Sequence, residues 1–289
     1  MLRVKYLFRT VVYTLFFAIV LLCLFSCGGK SVPSDAGVSD TVAADSADSA
    51  GIVPADSIMD DAVIPKTADE YFNDFIYSFT ISPRHQKERI VFPLPYERDG
   101  KMTYVKPEQW RYNAMYTRQE FYTVFFENES SLDLEKSKDV DRVTVEYVDM
   151  IDERVKDYFF SREENQWKLR KMREYGLDEY HERDFILFFD RFVSDSLYQI
   201  SHVASKIEIS MPDPEDDIET LTGMIEAEQW PSFRPELPHE YYYNINYGQK
   251  MENKKYRVVA LEGSSNGFLS LLFFRQKGYG EWMLYKMKN

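Results

Sequence analysis

Two apolar stripes with helical spacing lie 113 positions apart in the chain (72 to 185). The first comprises Phe72, Phe75, Ile76 and Phe79, and the second comprises Phe185, Phe188, Phe189 and Phe192. Both follow the i, i+3, i+4, i+7 pattern that places side chains on one face of an α-helix. The spacing therefore predicts a helix over 67–79, a short helical piece over 82–89 and a later helix over 183–193.

Alternation of apolar and polar residues follows each helical stripe. Such segments, rich in β-branched and aromatic residues, are typical of strands. They predict strands near 119–127, 140–149, 154–161 and 166–174, and again near 241–247, 255–262, 268–275 and 281–287. Asp99-Gly100 predicts a hairpin turn.

Further landmarks recur in one order along the two parts of the chain. The matching pairs are Gln86 and Gln199, Glu108-Gln109-Trp110 and Glu228-Gln229-Trp230, Phe159-Phe160 and Phe273-Phe274, and the hexapeptides WKLRKM (167–172) and WMLYKM (282–287). The order predicts two tandem α+β units, 67–177 and 181–289, each with helices packed on a curved antiparallel sheet. We expect the two units to pack sheet to sheet.

The N-terminus has the features of a targeting segment. A basic start (1–9) precedes an apolar run over 11–25, which is shorter than the about 20 residues of a transmembrane helix and is typical of a signal peptide. The run ends in Leu24-Phe25-Ser26-Cys27, which resembles a bacterial lipobox. The resemblance implies a lipoprotein signal peptide over 1–26 and a Cys27 whose acyl chains, palmitate among them, anchor the protein in a lipid bilayer. The alternative is an uncleaved anchor helix.

Glycines follow Cys27, and by analogy the absence of Asp at the second mature position favours the outer membrane. We therefore expect a protein of the bacterial cell envelope that is lipid-anchored in the outer membrane and faces the periplasm.

Residues 27–66 are rich in Ser, Ala and Asp and lack apolar periodicity, which predicts a disordered tether. Four Asp-hydroxyl-apolar tripeptides lie in it, with hydroxyls on Thr41, Ser46, Ser49 and Ser57. They resemble the O-glycosylation acceptors of Bacteroidetes envelope proteins, which implies glycosylation at these positions. The alternative is chance, because a tract of this composition produces the tripeptide readily.

Charge and residue types exclude several functions. The net charge of −13 disfavours nucleic acid as a partner, because phosphate binding needs a basic surface. Both cysteines lie in the first 27 residues, and no two of the four histidines have the spacing of a zinc helix. Residues 263–267 fit the G-x-S-x-G pattern of hydrolases, but they join two predicted strands and no histidine follows, so we expect a turn. We expect an acidic loop over 213–217, no metal site and no cofactor.

The segments VKDYFFSREENQWKLRKM and LSLLFFRQKGYGEWMLYKM resemble the last two strands of nuclear-transport-factor-2-like (cystatin-like) domains. Over 67–289 the chain also resembles a Bacteroidetes lipoprotein family of unknown function with that fold. The resemblance implies a cone of helices and curved sheet in each unit. It implies no particular activity, because the superfamily contains both enzymes and non-enzymes.

Aromatic side chains are the best candidates for ligand contact, because a ring with a polar tip suits sugars, peptides or small apolar molecules. The candidates are Trp230, His239, Tyr241, Tyr242 and Tyr243 in the second unit and Trp110 and Tyr122 in the first. The alternative for all of them is packing within the sheet. Successive strand residues point to opposite faces, so Tyr241 and Tyr243 share one face, which favours the second unit as the ligand side.

These features favour a non-catalytic ligand-binding or protein-interaction module, with an unidentified small molecule, glycan or envelope protein as partner. The alternative is a small-molecule enzyme of hydrolase or isomerase type. Such an enzyme would combine an acid or histidine with a tyrosine in the pocket of one unit.

Overall fold

The computed structural model describes residues 69–289, apart from 120, 214, 215, 250, 264–266 and 279. The predicted signal peptide with Cys27, the tether, and the positions Thr41, Ser46, Ser49 and Ser57 lie outside the described residues. None of the helices within the described ranges is long and apolar enough to cross a membrane.

The N-terminal half, 69–177, begins with two helices and continues as strands. Its elements are α1 (Phe72–Ile81), α2 (Pro83–Glu88), β1 (Leu94–Arg98), β2 (Lys101–Val105), β3 (Phe121–Phe126), β4 (Arg142–Asp149), β5 (Arg154–Glu163) and β6 (Gln166–Gly176). The predicted Asp99-Gly100 turn is confirmed, because it joins β1 to β2 with both residues at positive φ.

The C-terminal half, 181–289, has the same series. Its elements are α3 (Arg183–Ser194), α4 (Ser196–Ser201), β7 (Val203–Asp213), β8 (Asp216–Glu226), α5 (Trp230–Phe233), β9 (Tyr241–Asn246), β10 (Tyr256–Gly263), β11 (Leu269–Gln276) and β12 (Trp282–Lys288). The predicted turn at 263–267 lies between the antiparallel strands β10 and β11, and its residues 264–266 are outside the described residues. The expected acidic loop is wrong at both ends, since Asp213 ends β7 and Asp216 begins β8.

All twelve strands form one sheet, in the order β2-β1-β6-β5-β4-β9-β3-β10-β11-β12-β7-β8. The expectation that the halves pack sheet to sheet is therefore wrong, and they join edge to edge. The physical reason lies at the centre of the sheet. There β3 pairs with β10 of the other half, and β9 pairs with β4. Each half thus completes the sheet of the other, which no stacked arrangement allows.

Two connectors cross the sheet at this junction. The first connector, 127–141, joins β3 to β4, and the second connector, 247–255, joins β9 to β10. Between the parallel strands β3 and β9, hydrogen bonds of side chains replace part of the backbone hydrogen bonding. The Thr123 hydroxyl donates to the Tyr243 carbonyl (3.0 Å), and the Phe125 amide donates to Asn244 Oδ1 (3.0 Å).

Each face of the sheet carries its own hydrophobic core. On the face covered by α1, the core includes Phe126 and Ala260, and Leu132 and Leu134 of the first connector pack against it. On the face covered by α3, the core includes Phe125 and Val259, and Met251 of the second connector packs against it. Neighbouring residues alternate between the cores because successive strand side chains point to opposite faces. We call these two faces the α1 face and the α3 face.

The apolar stripes found in the sequence form the centres of these cores. Phe72 of α1 meets the edge of Trp167 on β6 at 5.0 Å and 77° between ring planes. Phe185 of α3 meets Trp282 on β12 at 5.0 Å and 76°. Each tryptophan lies in a strand that pairs antiparallel with the preceding strand and parallel with the first strand of its half. The two hexapeptides therefore have the same packing role.

Candidate functional site

The seven residues proposed from the sequence as ligand contacts do not form one site. Trp230 and Tyr242 are fully buried in the core of the α3 face. The Tyr242 ring packs on Phe189, and its hydroxyl donates to Asp190 Oδ1 at 2.7 Å. Tyr242 thus packs against α3, and both rings have a packing role.

Tyr122 and Tyr243 are buried on the opposite, α1 face, as strand alternation predicts. The Tyr122 hydroxyl donates to Glu262 Oε2 at 2.8 Å, and the Tyr243 ring contacts the rings of Tyr116 and Tyr147. On this face β9 therefore packs against side chains of the N-terminal half.

The remaining three candidates are only partly covered. Trp110 is half-buried, and its Nε1–H donates to Gln86 Oε1 at 3.1 Å. Tyr241 is half-buried and stacks on Tyr147 at 6.2 Å, while His239 is exposed. Because the two connectors and two helices cover both faces around β9, no group of these seven rings lines a common opening.

A pocket of about 290 Å³ opens elsewhere, on the α1 face of the C-terminal half. Three aromatic side chains line it: Tyr256 at the start of β10, Phe273 on β11 and Tyr285 on β12. Tyr256 is exposed, Tyr285 is half-buried, and Phe273 is buried apart from its contact with the pocket. We call this site the aromatic pocket.

Polar groups border the aromatic pocket on the side of the connectors. They are Glu127, Asn128 and Glu129 of the first connector and Asn253 of the second. Glu127 accepts a hydrogen bond from the Asn253 amide, and both Glu129 oxygens accept from Lys288 Nζ at 2.5 and 2.8 Å. The border therefore presents carboxylate oxygens and side-chain amides next to aromatic rings.

Cationic side chains support the rings of the pocket. The Arg275 guanidinium lies 5.3 Å from the Tyr285 centroid, and Lys286 Nζ lies 5.5 Å from that of Phe273. At these distances the cations are attracted to the ring faces. These cations therefore stabilise two of the rings that line the pocket.

The aromatic pocket could not be predicted from the sequence, because the residues that line it come from three strands and two connectors that are separated in the chain. One signal was present. Tyr285 follows Trp282 and Leu284 in the last strand, and strand alternation places it on the opposite face from those core residues.

A second cluster of polar side chains is buried on the α3 face, where β4, β9 and the 177–182 segment meet. Glu146 is 3% exposed and accepts four hydrogen bonds. The donors are Tyr180 (2.8 Å), His181 Nε2 (3.0 Å), Asn244 (2.8 Å) and Asn246 (2.9 Å). An ionised carboxylate offers about four acceptor positions, so Glu146 is saturated. It fixes the junction of the halves and has no lone pair left for a substrate.

The titration of this cluster follows from its burial. Burial would raise the pKa of Glu146, but the hydrogen bond and charge of His181 and the two asparagines hold that pKa below its ordinary value. Burial would lower the pKa of His181, but the hydrogen bond and charge of Glu146 raise it. Burial, and then the charge of Glu146, raise the pKa of the nearby Asp157 to about 7. Asp157 therefore titrates near neutral pH.

A third group, on the α1 face, pairs two carboxyls. Glu135 of the first connector lies in hydrogen-bond contact with Glu262 of β10. Burial, and then that contact with Glu262, raise the pKa of Glu135 to about 10. Glu135 therefore carries its proton at neutral pH. The pair attaches the first connector to the sheet, and both groups have a side-chain oxygen that solvent does not reach.

Of these three sites, the aromatic pocket alone combines an opening with exposed rings and polar groups. Among the described residues, no three His, Cys, Asp or Glu side chains are arranged to hold a metal ion. The rings and polar groups of the aromatic pocket are suited to ring stacking and hydrogen bonds.

Comparison with known proteins places the fold. A family model described as "Domain of unknown function (DUF4348)" matches residues 53–289. An NTF2-like protein from Bacteroides fragilis NCTC 9343, known from a crystal structure, is 34% identical to this chain with a TM-score of 0.72. The match covers 78% of this chain and 97% of that one. A search of curated proteins found no match.

The predicted resemblance to nuclear-transport-factor-2-like proteins is confirmed at the level of the fold. The family model covers most of the chain, and the match to the Bacteroides fragilis protein covers nearly all of that protein. This chain therefore belongs to the DUF4348 family, whose function is unknown.

Proposed function

We propose that this protein is a non-catalytic, lipid-anchored module of the bacterial cell envelope that binds a carbohydrate in the aromatic pocket. The observation that carries the proposal is the convergence of Tyr256, Phe273 and Tyr285 on one opening that is bordered by carboxylates and amides. Sugar rings have apolar C–H faces that stack on aromatic rings, and their hydroxyls donate to and accept from such polar groups. The volume of about 290 Å³ suits one or two sugar rings.

Packing inside the halves supports binding over catalysis. Phe75, Phe79 and Trp167 fill the space between α1 and the sheet, and Phe185, Phe189 and Phe192 fill the space under α3. An enzyme of the cone type needs a titratable group that a substrate reaches. In the described residues the saturated Glu146 is buried. The carboxylates at the open aromatic pocket, Glu127 and Glu129, already accept hydrogen bonds from Asn253 and Lys288, which suits them to border a binding site.

Binding is tested on the full chain in detergent with an array of oligosaccharides, followed by calorimetry on each hit. Tyr256→Ala and Tyr285→Ala should each weaken binding at least about tenfold, which corresponds to about 1.4 kcal/mol. The matched control is Tyr104→Ala, which removes a more exposed ring at the far end of the sheet. Equal affinity of all four proteins for every hit would contradict the proposal.

The lipid anchor is a separate part of the proposal. It is supported by Leu24-Phe25-Ser26-Cys27 after the apolar run. Cys27→Ser should abolish palmitate labelling and release the protein from the membrane fraction or leave the precursor uncut. Cys23→Ser, four positions earlier, is the control and should label normally. Normal labelling of Cys27→Ser would refute the anchor.

The tether, 27–66, we propose to be O-glycosylated at Thr41, Ser46, Ser49 and Ser57, on the support of their Asp-hydroxyl-apolar tripeptides. Replacing all four residues by Ala should lower the mass of the mature protein by the mass of the glycans, as measured on the intact chain. An unchanged mass, after allowance for the four substitutions, would exclude modification there.

We also propose that the halves arose as tandem copies of one unit. The geometry of equivalent aromatic pairs supports this. Phe79 meets Phe160 at 5.3 Å and 88°, and Phe192 meets Phe274 at 5.3 Å and 88°. Gln86 and Gln199 are both buried and both donate to a phenylalanine carbonyl seven residues earlier. In a crystal structure, the N-terminal half with β9 in place of β3 should superpose on the C-terminal half with β3 in place of β9. Trp167 should then coincide with Trp282. Failure of that superposition would contradict a duplication.

A further inference from the structure

The single sheet of this protein ends in two strands that each have one neighbour. Among the described residues, β2 pairs only with β1 at one end, and β8 pairs only with β7 at the other end. The outer edge of such a strand presents unpaired backbone N–H and C=O groups, which are a template for another strand. Each copy of the chain therefore carries two different free edges.

The outward backbone groups can be assigned from the ladders. The Asp99-Gly100 hairpin makes Arg98 and Lys101 a hydrogen-bonded pair, so Met102 and Tyr104 direct their amides outward. On β7 the Ser210 carbonyl accepts from the Asn289 amide, which directs it away from β8. The residue opposite Ser210, Thr222, therefore directs its amide outward, and so does Met224 two positions later.

Exposed apolar side chains accompany both edges. On β2, Met102 is 43% exposed and Tyr104 is 62% exposed, and on β8, Leu221 is 54% exposed and Met224 is 59% exposed. Proteins usually protect an edge with prolines, bulges or charges directed inward. Neither strand contains a proline, and the irregularity of the β7–β8 ladder lies at Pro212 and Asp213, away from Met224, so this part of each edge remains suited to pairing.

The two edges have opposite charge. β2 begins with Lys101 and is followed by Lys106, and it contains no acidic residue. β8 contains four acidic residues and no basic one, and Glu219 and Glu226 flank its exposed apolar part. Pairing β8 with β8, or β2 with β2, would bring like charges together across the strands. Pairing β2 with β8 brings a lysine near a glutamate at both ends, whichever direction the strands take.

We propose that copies of this protein associate head to tail, with β2 of one copy added as a strand to β8 of the next. Such a contact is heterologous, so each copy uses a different edge for each neighbour and the assembly grows as a line. The shared edge is only five residues long on the β2 side, so the association is weak and depends on concentration. It does not depend on the aromatic pocket, which lies away from both edges.

Two proline variants test the proposal in the full chain in detergent, with light scattering that separates protein mass from detergent mass. Tyr104→Pro and Met224→Pro each remove one outward amide, and the inner ladders with β1 and β7 are kept. Wild type should rise in mass with concentration and pass beyond the dimer. Each variant alone should stay monomeric, because one of its two edges is blocked.

The decisive measurement is the mass of the particles that form when the two variants are mixed. Tyr104→Pro retains β8 and Met224→Pro retains β2, so a mixture should form heterodimers and stop at twice the monomer mass. Dimers of Tyr104→Pro alone would show β8–β8 pairing and overturn the proposal. A wild type that stays monomeric at every concentration, or a mixture that stays monomeric while wild type associates, would overturn it too. Unchanged thermal unfolding of each variant confirms that it is folded.

Discussion

The two halves of this protein agree in their interiors and differ on their surfaces. Phe72 with Trp167 in one half and Phe185 with Trp282 in the other have nearly the same ring distance and angle. Outside the core, the match ends. In strand position, the pocket residues Phe273, Tyr256 and Tyr285 correspond to Phe159, Arg142 and Arg170 of the N-terminal half, respectively. Only one of the three rings is thus present in both halves.

The buried polar groups differ in the same way. Glu146 and Asp157 of the N-terminal half correspond in strand position to Ala260 and Leu271 of the C-terminal half. One half therefore carries the titrating cluster that joins the halves, and the other carries the open aromatic pocket. The comparison teaches that aromatic packing keeps the scaffold the same while the exposed strand positions give each half its own role.

The largest expected effect tests the common interior. Trp167→Ala and Trp282→Ala should each cost about 3–5 kcal/mol of unfolding free energy, because each opens a cavity under a helix. Since each half completes the sheet of the other, both variants should unfold in a single transition, as measured by circular dichroism in denaturant. Two separated transitions would show that the halves fold independently.

A somewhat smaller effect tests the polar difference. Glu146→Ala should cost about 3 kcal/mol, because it leaves the buried Asn244 amide and the Tyr180 hydroxyl without their acceptor. The matched control is Glu129→Ala, an exposed carboxylate with a single lysine partner, which should cost less than about 1 kcal/mol. Equal costs for the two variants would contradict the structural role of Glu146.

The pH dependence of stability should come from the buried cluster around Glu146, where Asp157 and His181 lie. The pKa of Asp157 is raised from 3.8 to about 7 in the fold, and that of His181 is raised from 6.5. A group whose pKa is higher in the folded state than in the unfolded state stabilises the fold at pH values below its unfolded-state pKa. This contribution to stability is lost as the pH rises through the folded-state pKa. The loss of unfolding free energy that Asp157 causes between pH 4 and pH 8 should thus be on the order of 4 kcal/mol, and His181 should add to the loss above pH 6.5.

Asp157→Asn isolates this effect in denaturant titrations at several pH values. The variant should lose the decline between pH 4 and pH 7 and keep the decline that His181 causes above that range. At the equivalent position the C-terminal half has Leu271, which does not titrate and so adds nothing to the pH dependence of stability. A wild type and a variant with parallel pH profiles would show that Asp157 titrates normally.

The sequence was sufficient for the interior and insufficient for the junction. The helical stripes, the late strands and the Asp99-Gly100 turn follow from local periodicity and turn chemistry, and all are present. The exchange of β3 and β9 depends on which half pairs with each strand, and two similar units offer the same local pattern to both choices. The β7–β8 hairpin was missed because its acidic residues are typical of loops.

The site was less predictable than the fold for a related reason. Tyr241, Tyr242 and Tyr243 are conspicuous in the sequence, yet the exchange puts β9 in the middle of the sheet, where both faces are covered. Tyr256 and Tyr285 are isolated in the sequence and meet only through the pairing of β10, β11 and β12.

The smallest expected effect on stability tests the surface difference. Tyr285→Arg installs the residue that the N-terminal half has at the equivalent position, Arg170. The position is only half-buried, so the unfolding free energy should change by less than about 0.5 kcal/mol, while carbohydrate binding is lost. The reverse change, Arg170→Tyr, should leave binding unaltered. Loss of binding together with a large loss of stability would show that Tyr285 supports the fold rather than a ligand.

The most direct test of the central claim is a crystal structure of the chain with an oligosaccharide identified on the array. The account predicts a sugar ring stacked on Tyr256 or Tyr285, with its hydroxyls bonded to the Glu127 or Asn253 side chains. A ligand bound beside Phe159 and Arg170 on the N-terminal half, or between α1 and the sheet, would contradict it.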